Sequence, residues 1–285
     1  MKDNYKITIS CSGKELTVSP SSGAHLIENG LKGFYAAGFD VAVSPFASQS
    51  GGYFTKRRFS EREMSISFEI EAGLDSVLRR RLVSMLSPTE DCIIDVTLGD
   101  TRRRITAVPC GEPEFSCRTF GEPETVTLSF VAPTVFFESP DSISVNLRQR
   151  SGLLTFPMNF TTDAGLTAGL SLPGNEAAIH NPGDTECGAV FSLTADGGNI
   201  VYPTLSLGEK FFRCPITMHS GDVLTLDTRP RMKNITLNGQ RMFSFDKRST
   251  FFALPAGEST ISVTATSGAE YADTVIRFTP LYYGV

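Results

Sequence analysis

The chain has 285 residues, a formal net charge of −5, 20% charged and 40% hydrophobic residues, values of a globular protein with room for two domains or one large β domain. Neither half carries the basic excess of a nucleic-acid binder, and no apolar run approaches the roughly 18–20 residues of a membrane span. The opening MKDNYKITIS has a lysine but no apolar core of a signal peptide, which predicts a protein made and folded in a cytosol.

In chain order, three basic triplets stand out: Lys56-Arg57-Arg58, Arg79-Arg80-Arg81 and Arg102-Arg103-Arg104. Such clusters read as solvated faces or interface ion pairs ahead of a channel lining or a phosphate site. In EMSISFEIEA, Met64, Ile66, Phe68 and Ile70 alternate with Ser65, Ser67 and Glu69, which predicts a strand with one buried face. The next stretch, GLDSVLRRRLVSMLSP, predicts the one helix, over about 74–87. Leu74, Val77, Leu78, Leu82, Met85 and Leu86 fall on one face, and Pro88 halts the chain. The same rotation points Arg80 outward, leaves Arg79 on the flank and sets Arg81 near the middle of the apolar stripe. There Arg81 needs a carboxylate partner or a subunit boundary, unless its head snorkels past the stripe. CIIDVTLGDTRRRITAV reads as two strands joined at Gly99-Asp100.

A strand in ETVTLSFVA ends at Pro133, Pro140 follows, and the character of the chain changes. The domain boundary is therefore placed here: residues 1–138 form a β domain with one helix, and 139–285 a second domain in which every segment looks like strand or turn. TTDAGLTAGLSLPGNEA (161–177) reads as a long loop or flexible edge. Beyond it the turn signals NPGD, DGGN, LGEK, SGDV, LNGQ and LPAGES recur at the spacing of an antiparallel sandwich or jelly roll. Asn238-Gly239 is the strongest of them, because a type I′ turn needs positive φ at both central residues. Asp184 and Asp222 each follow a glycine, where a carboxylate can close an Asx turn.

Chemistry is sparse in this pattern. Cys11, Cys92, Cys110, Cys117, Cys187 and Cys214 form no C-x-x-C pair and read as buried thiols. His25, His180 and His219 lie far apart and suggest no metal site. The carboxylate pairs Asp184 with Glu186 and Asp222 with Asp227 could serve glycoside hydrolysis in principle, yet in a β domain such pairs are mostly turn caps and solvated faces. No nucleophile elbow or phosphate loop is present. The expectation is a protein that is not an enzyme, with no catalytic residue, no metal and no cofactor.

The order FTKRRFSEREMSISFEI, a helix, MLSP and LSFVAPTVFFES resembles the amino-terminal half of the distal tail (Dit) family of long-tailed bacteriophages. NPGDTECGAVFSL, YPTLSL, HSGDVLTLDT, ITLNGQ, STFFALPAGESTISV and IRFTPLYYGV resemble, in order, that family's galectin-like carboxy-terminal domain. The resemblance spans most of the chain and is weakest over 22–45 and 143–177. It maps the turn residues Asn181, Gly183, Asp184, Gly221, Asp222, Asn238, Gly239, Pro255 and Gly257 onto the scaffold of the sandwich, and makes Arg81 a candidate subunit contact.

What the resemblance implies is a mainly β, two-domain structural virion protein at the tail tip, assembled in the host cytoplasm from a phage or prophage gene. Its amino-terminal domains form a ring, commonly a homohexamer, that joins the tail tube protein to the tail-tip or tail-associated protein and to a receptor-binding protein. DNA passes through the channel without sequence-specific binding, and no membrane is engaged. A carbohydrate-binding module is the alternative. His180-Asn181-Pro182 echoes part of the galectin sugar motif, but Gly183 stands where an arginine is expected. With no tryptophan in the chain, Tyr202, Phe211, Phe212 or Tyr271 would have to supply the aromatic platform.

Overall fold

Alternating burial along the strands sets the architecture of the first half. The computed structural model describes residues 4–71, 75–116, 123–147, 149–152, 169–172 and 176–285. They divide into two compact units, Met1–Pro140 with Leu281–Val285, and Asp141–Pro280. The sequence reading assigns 281–285 to the second domain; the structure returns them to the first.

The first unit contains β1 (Tyr5–Cys11), β2 (Lys14–Val18), β3 (Ala24–Lys32), β4 (Phe39–Pro45), β5 (Gly52–Phe59), β6 (Arg62–Ile70), α1 (Asp75–Met85), β7 (Cys92–Leu98), β8 (Thr101–Pro109), β9 (Glu114–Ser116), β10 (Glu124–Ala132) and β11 (Phe137–Glu138). The antiparallel order is β2-β1-β7-β8-β10-β6-β3. Strand β8 belongs to both halves of this path: residues 101–107 pair with β7, and Val108 and Pro109 with β10. Met64, Ile66, Phe68 and Ile70 of β6 are buried as their alternation requires, and meet Ile7, Ile9, Ile94, Val126, Leu128 and Phe130 in one core.

Helix α1 lays Leu82 and Met85 into that core, with Leu78 and Leu86 partly covered. Val77, assigned to the stripe, is 70% exposed. It stands about 100° around the axis from Leu78, on the edge of the face that the sheet covers. Leu74 lies outside the described residues. Arg81, about 40° beyond Val77, is exposed as well.

The second unit contains β12 (Ile143–Asn146), β13 (Gln149–Gly152), β14 (Gly169–Leu172), β15 (Glu176–Asn181), β16 (Ala189–Ala195), β17 (Ile200–Val201), β18 (Thr204–Leu207), β19 (Lys210–Arg213), β20 (Thr217–Met218), β21 (Val223–Asp227), β22 (Asn234–Leu237), β23 (Gln240–Arg241), β24 (Gly257–Thr264) and β25 (Ala272–Phe278). One sheet runs β12-β25-β16-β21-β22-β23, the other β15-β24-β18-β19. Buried Phe191 of the first sheet meets Phe252, which leads into β24, at 5.5 Å between ring centroids. The unit is a β-sandwich. Within the expected loop 161–177, β14 pairs with β13 and β15 begins at Glu176; residues 161–168 and 173–175 lie outside the described residues. After the Asn238-Gly239 turn β23 ends at Arg241, and Phe245 joins Phe212 and Phe251 in a ring cluster.

The last strand, β26 (Leu281–Tyr282), closes the first unit by pairing with β11.

Candidate interaction surfaces

Asn181, at the end of β15, is 1% exposed and fully engaged. Its Nδ2 donates to the carbonyls of Thr185 (3.1 Å), Leu254 (3.3 Å) and Pro255 (3.1 Å), and its Oδ1 accepts the N–H of Gly183 (3.0 Å). One side chain thus closes the NPGD turn and ties it to the entry of β24, where Gly257 pairs with Asn181 at φ +83°. Both amide N–H groups are thus engaged, and burial keeps a ligand from the remaining lone pair of Oδ1.

Asp222 organises the next cluster. Its Oδ2 accepts the His219 N–H at 2.7 Å and its Oδ1 accepts the Asn238 amide at 2.8 Å, while Asn238 Oδ1 accepts the Val223 N–H at 2.8 Å. These bonds, the Asn238 amide first, hold the Asp222 carboxyl below its ordinary value. Asn238 and Gly239 sit at φ 51° and 78°, the positive values that the tight hairpin needs. Gly221 also has positive φ, 94°. Asp227 is taken up by its own neighbour: Arg229 donates from Nη2 at 2.6 Å and from its backbone N–H at 3.0 Å. Asp222 and Asp227 are therefore separate structural acceptors. Asp184 is exposed in the NPGD turn. His25 pairs with Glu71 (2.8 Å) and His180 with Glu258 (2.9 Å). Among the described residues, no group of three or more His, Cys, Asp or Glu could hold a metal ion.

The arginine clusters resolve into distinct roles. Arg81 needs no carboxylate: its Nη2 donates to the backbone carbonyl of Glu15 at 2.6 Å, and Lys14 Nζ returns a bond to the Ser84 carbonyl at 3.0 Å. The helix thereby engages one backbone acceptor of β2, the edge strand of the sheet. The buried carboxylate partner belongs to Arg79, which pairs with Glu124 and lies over the ring of Phe115. Arg104 forks onto Asp95 (2.7 and 3.1 Å), and Arg103 lies over Tyr282 at 3.4 Å. The sequence reading missed Arg62, 1% exposed, whose guanidinium donates to three backbone carbonyls: Val135 (2.8 Å), Gly33 (2.5 Å) and Tyr283. Burial pushes it below the ordinary arginine value. Its signal was strand phase, since Arg62 lies in register with Met64 and Ile66 on the buried face.

The cysteines depart from expectation. Cys11 and Cys92 form a disulfide between β1 and β7, where the sequence suggested separate thiols. Their separation of 81 residues gave no clue, and only adjacent strand ends bring them together. Cys187 and Cys214 are buried thiols pushed up to about 12, by burial in both cases and by Glu186 at Cys187, whereas Cys110 is exposed. Alkylation of the native protein at pH 8 is expected to modify Cys110 at least ten-fold faster than Cys187 or Cys214, because the thiolate is the nucleophile. Peptide mass mapping over time checks this, and equal rates would show that the second unit opens readily. Cys117 lies outside the described residues.

The β4–β5 hairpin, a two-stranded sheet of its own, carries a run of exposed apolar side chains. Register places Phe39, Val41 and Val43 of β4 opposite Phe59, Arg57 and Phe54 of β5, so these six share one face. All are exposed, Phe39 at 71%, and Arg57 lies over the Phe54 ring at 3.9 Å. Asp40 on the other face takes Lys56 (3.1 Å) and Arg58 (3.3 Å), which hold its carboxyl below its ordinary value. The base is braced by Phe59, Phe136 and Tyr283, whose ring centroids lie 5.4–5.7 Å apart.

Residues 182–282 match the family model SPP1_Dit, the siphovirus-type tail component, C-terminal domain. That stretch resembles the C-terminal domain of Dit-type tail components. The fold of the whole chain is that of the Dit protein of phage SPP1, described as a paradigm of the hub adsorption apparatus in phages infecting Gram-positive bacteria: TM-score 0.68 and 14% identity, over 96% of this chain and 98% of that one. A chain of the phage P2 baseplate in its activated conformation with Ca aligns over 97% and 98% of the two chains at 9% identity and TM-score 0.45. No curated protein sequence matches. The chain is mainly β, and no helix among its described residues is long and apolar enough to cross a membrane.

Proposed function

We propose that this chain is a Dit-family adaptor that joins the tail tube to the tail-tip and host-recognition apparatus, as a homohexameric ring with the first units around the channel. The match of residues 182–282 to the tail-component domain carries the reading. The apolar hairpin of the first unit supports assembly, since soluble monomers rarely leave such a surface uncovered. Arg81, occupied with a carbonyl of its own chain, keeps spare guanidinium donors beside Val77 and Ser84 that a neighbouring subunit can engage. The tail tube, a tip protein and a receptor-binding protein are the proposed partners, with the virion as destination. Negative-stain images of the purified chain test this: rings with a central hole are expected, and a monomer at every concentration sinks it.

The carbohydrate-binding alternative loses its best residue, because Asn181 of the His180-Asn181-Pro182 stretch is buried and both its amide N–H groups are engaged within the chain. Phe212 is buried too, while Tyr202 and Tyr271 remain exposed. A glycan array is expected to stay silent, and specific, saturable binding would restore that reading.

A further inference from the structure

We infer that Cys11 and Cys92 are a redox latch on helix α1. They stay thiols while the chain is made in a reducing cytosol, and their bond closes, fixing α1 on the sheet, once the virion leaves the cell. The latch belongs to this chain's own residues; its timing rests on the adaptor reading.

The paired residues of β1 and β7 run from Tyr5 with Leu98 to Ser10 with Ile93. Cys11 and Cys92 form the next rung, with their Cα atoms 4.5 Å apart. That is the spacing of a cross-strand pair that exchanges no backbone hydrogen bonds, so at this rung the sulfur bridge is what joins the two strands. Both cysteines are buried, at 2% and 0% exposure, in the core that also takes Leu82 and Met85 of α1.

The rung is tied to α1 from both sides. Just beyond Cys11, the Ser12 hydroxyl donates to the Met85 carbonyl (3.5 Å), Lys14 Nζ donates to the Ser84 carbonyl (3.0 Å), and the Glu15 carbonyl accepts Arg81 (2.6 Å). Cys92 begins β7 directly after residues 86–91, the connection that leaves α1. The bridge therefore clamps the tip of the β1–β2 hairpin to the strand that follows the helix. Without it, tip and helix keep their mutual bonds but can lift from the sheet together, held by the apolar contacts of Leu82 and Met85 and by the pair of Arg79 with Glu124.

The two compartments favour opposite states of such a pair. Glutathione keeps cytosolic thiols reduced, whereas disulfides persist on virions outside the cell. The oxidant is a small disulfide such as glutathione disulfide. A thiolate of the pair attacks one of its sulfurs and expels a glutathione thiolate; the second cysteine attacks the protein sulfur of the mixed disulfide and expels the other. One S–S bond forms in the protein and one breaks in the reagent, and two electrons and two protons pass to two glutathione molecules. Because both cysteines are buried, exchange waits for this rung to open, which the exposed Ser12-Gly13 turn beside it allows.

The test uses the full chain. Cells making it are lysed directly into acid, which stops exchange, and free thiols are alkylated under denaturing conditions. Peptide mapping is expected to find Cys11 and Cys92 alkylated in about nine chains of ten; a bridge already present in most of them would overturn the timing. Purified protein reduced with dithiothreitol and then given glutathione disulfide is expected to link Cys11 to Cys92, with Cys187 and Cys214 still free. Failure to link them, or a stable mixed disulfide with glutathione, would overturn the latch. Hydrogen exchange then compares the two forms. Amides of 12–18 and 75–91 are expected to exchange about ten-fold or more faster when reduced, with β16 and β25 of the second unit unchanged. Equal rates would show that the bridge does not hold the helix. Cys11→Ala/Cys92→Ala should exchange as the reduced form does, whether or not glutathione disulfide is added, and a redox response that survives in it would overturn the assignment to this pair. Absence of rings in negative stain would sink the adaptor reading and with it the timing, while the linking and exchange results decide the latch separately.

Discussion

Removing residues 281–285 is expected to lower the melting transition of the first unit by about 10–15 °C and leave that of the second unit in place. Deletion takes away the pairing of Phe137 with Tyr282, the aromatic brace of Tyr283 and the cation–π contact of Arg103 over Tyr282. It also removes one of three carbonyl acceptors from Arg62, a guanidinium already cut off from water. A hydrogen bond to a charged group contributes about 1.5–3 kcal/mol, and the buried group left short of a partner costs more than the bond itself. With the lost apolar contacts, about 4 kcal/mol is a fair order, and a domain of this size shifts by roughly 3 °C for each kcal/mol. Scanning calorimetry of the full and shortened chains reads both transitions. Arg62→Met separates the causes. Combined with the deletion, it should destabilise by less than the sum of the two single changes, because the charge that misses Tyr283 is gone. Strict additivity would show that Arg62 and the C-terminus act independently.

Much of this was legible in strand phase and was only partly used. Met64, Ile66, Phe68 and Ile70 gave β6 its buried face, and Arg62 two positions earlier belonged to that face by the same count. Glu124 likewise stands in phase with Val126, Leu128 and Phe130, which makes it the buried carboxylate and Arg79 its partner. On the helix, counting Val77 as core turned the apolar stripe toward Arg81, whereas Leu78, Leu82, Met85 and Leu86 alone turn it away. Periodicity along one element cannot reveal what covers it. Phe39, Val41 and Val43 alternate as cleanly as the residues of β6, yet β4 lies in a sheet of two strands with its apolar face open. Pairings between distant segments, Cys11 with Cys92 or Leu281 with Glu138, have no local signal at all. They follow from how the sheets close.

Replacing Asn181 by alanine is expected to destabilise the second unit by about 3–5 kcal/mol, the largest effect of any single substitution in the NPGD turn. The change strips the side-chain donor from the Pro255 and Thr185 carbonyls and leaves the Gly183 N–H without its acceptor, while the Leu254 carbonyl keeps the Cys187 N–H. Each buried group so orphaned costs about 1–3 kcal/mol, reduced where water can enter the turn. At roughly 3 °C for each kcal/mol, the second transition should fall by about 9–15 °C while the first holds. Asn181→Asp distinguishes lost hydrogen bonds from lost volume. The carboxylate fills the same space and can still accept from Gly183, but it turns an acceptor toward carbonyl oxygens where the amide donated. It should therefore be at least as damaging as alanine at pH 7. By contrast, Glu209→Ala, at an exposed carboxylate in the turn between β18 and β19, should shift the transition by less than about 0.5 kcal/mol, as surface substitutions usually do. Calorimetry of the three variants decides. If Asn181→Asp proves nearly neutral, the side chain serves as a spacer and the turn is held by its backbone alone.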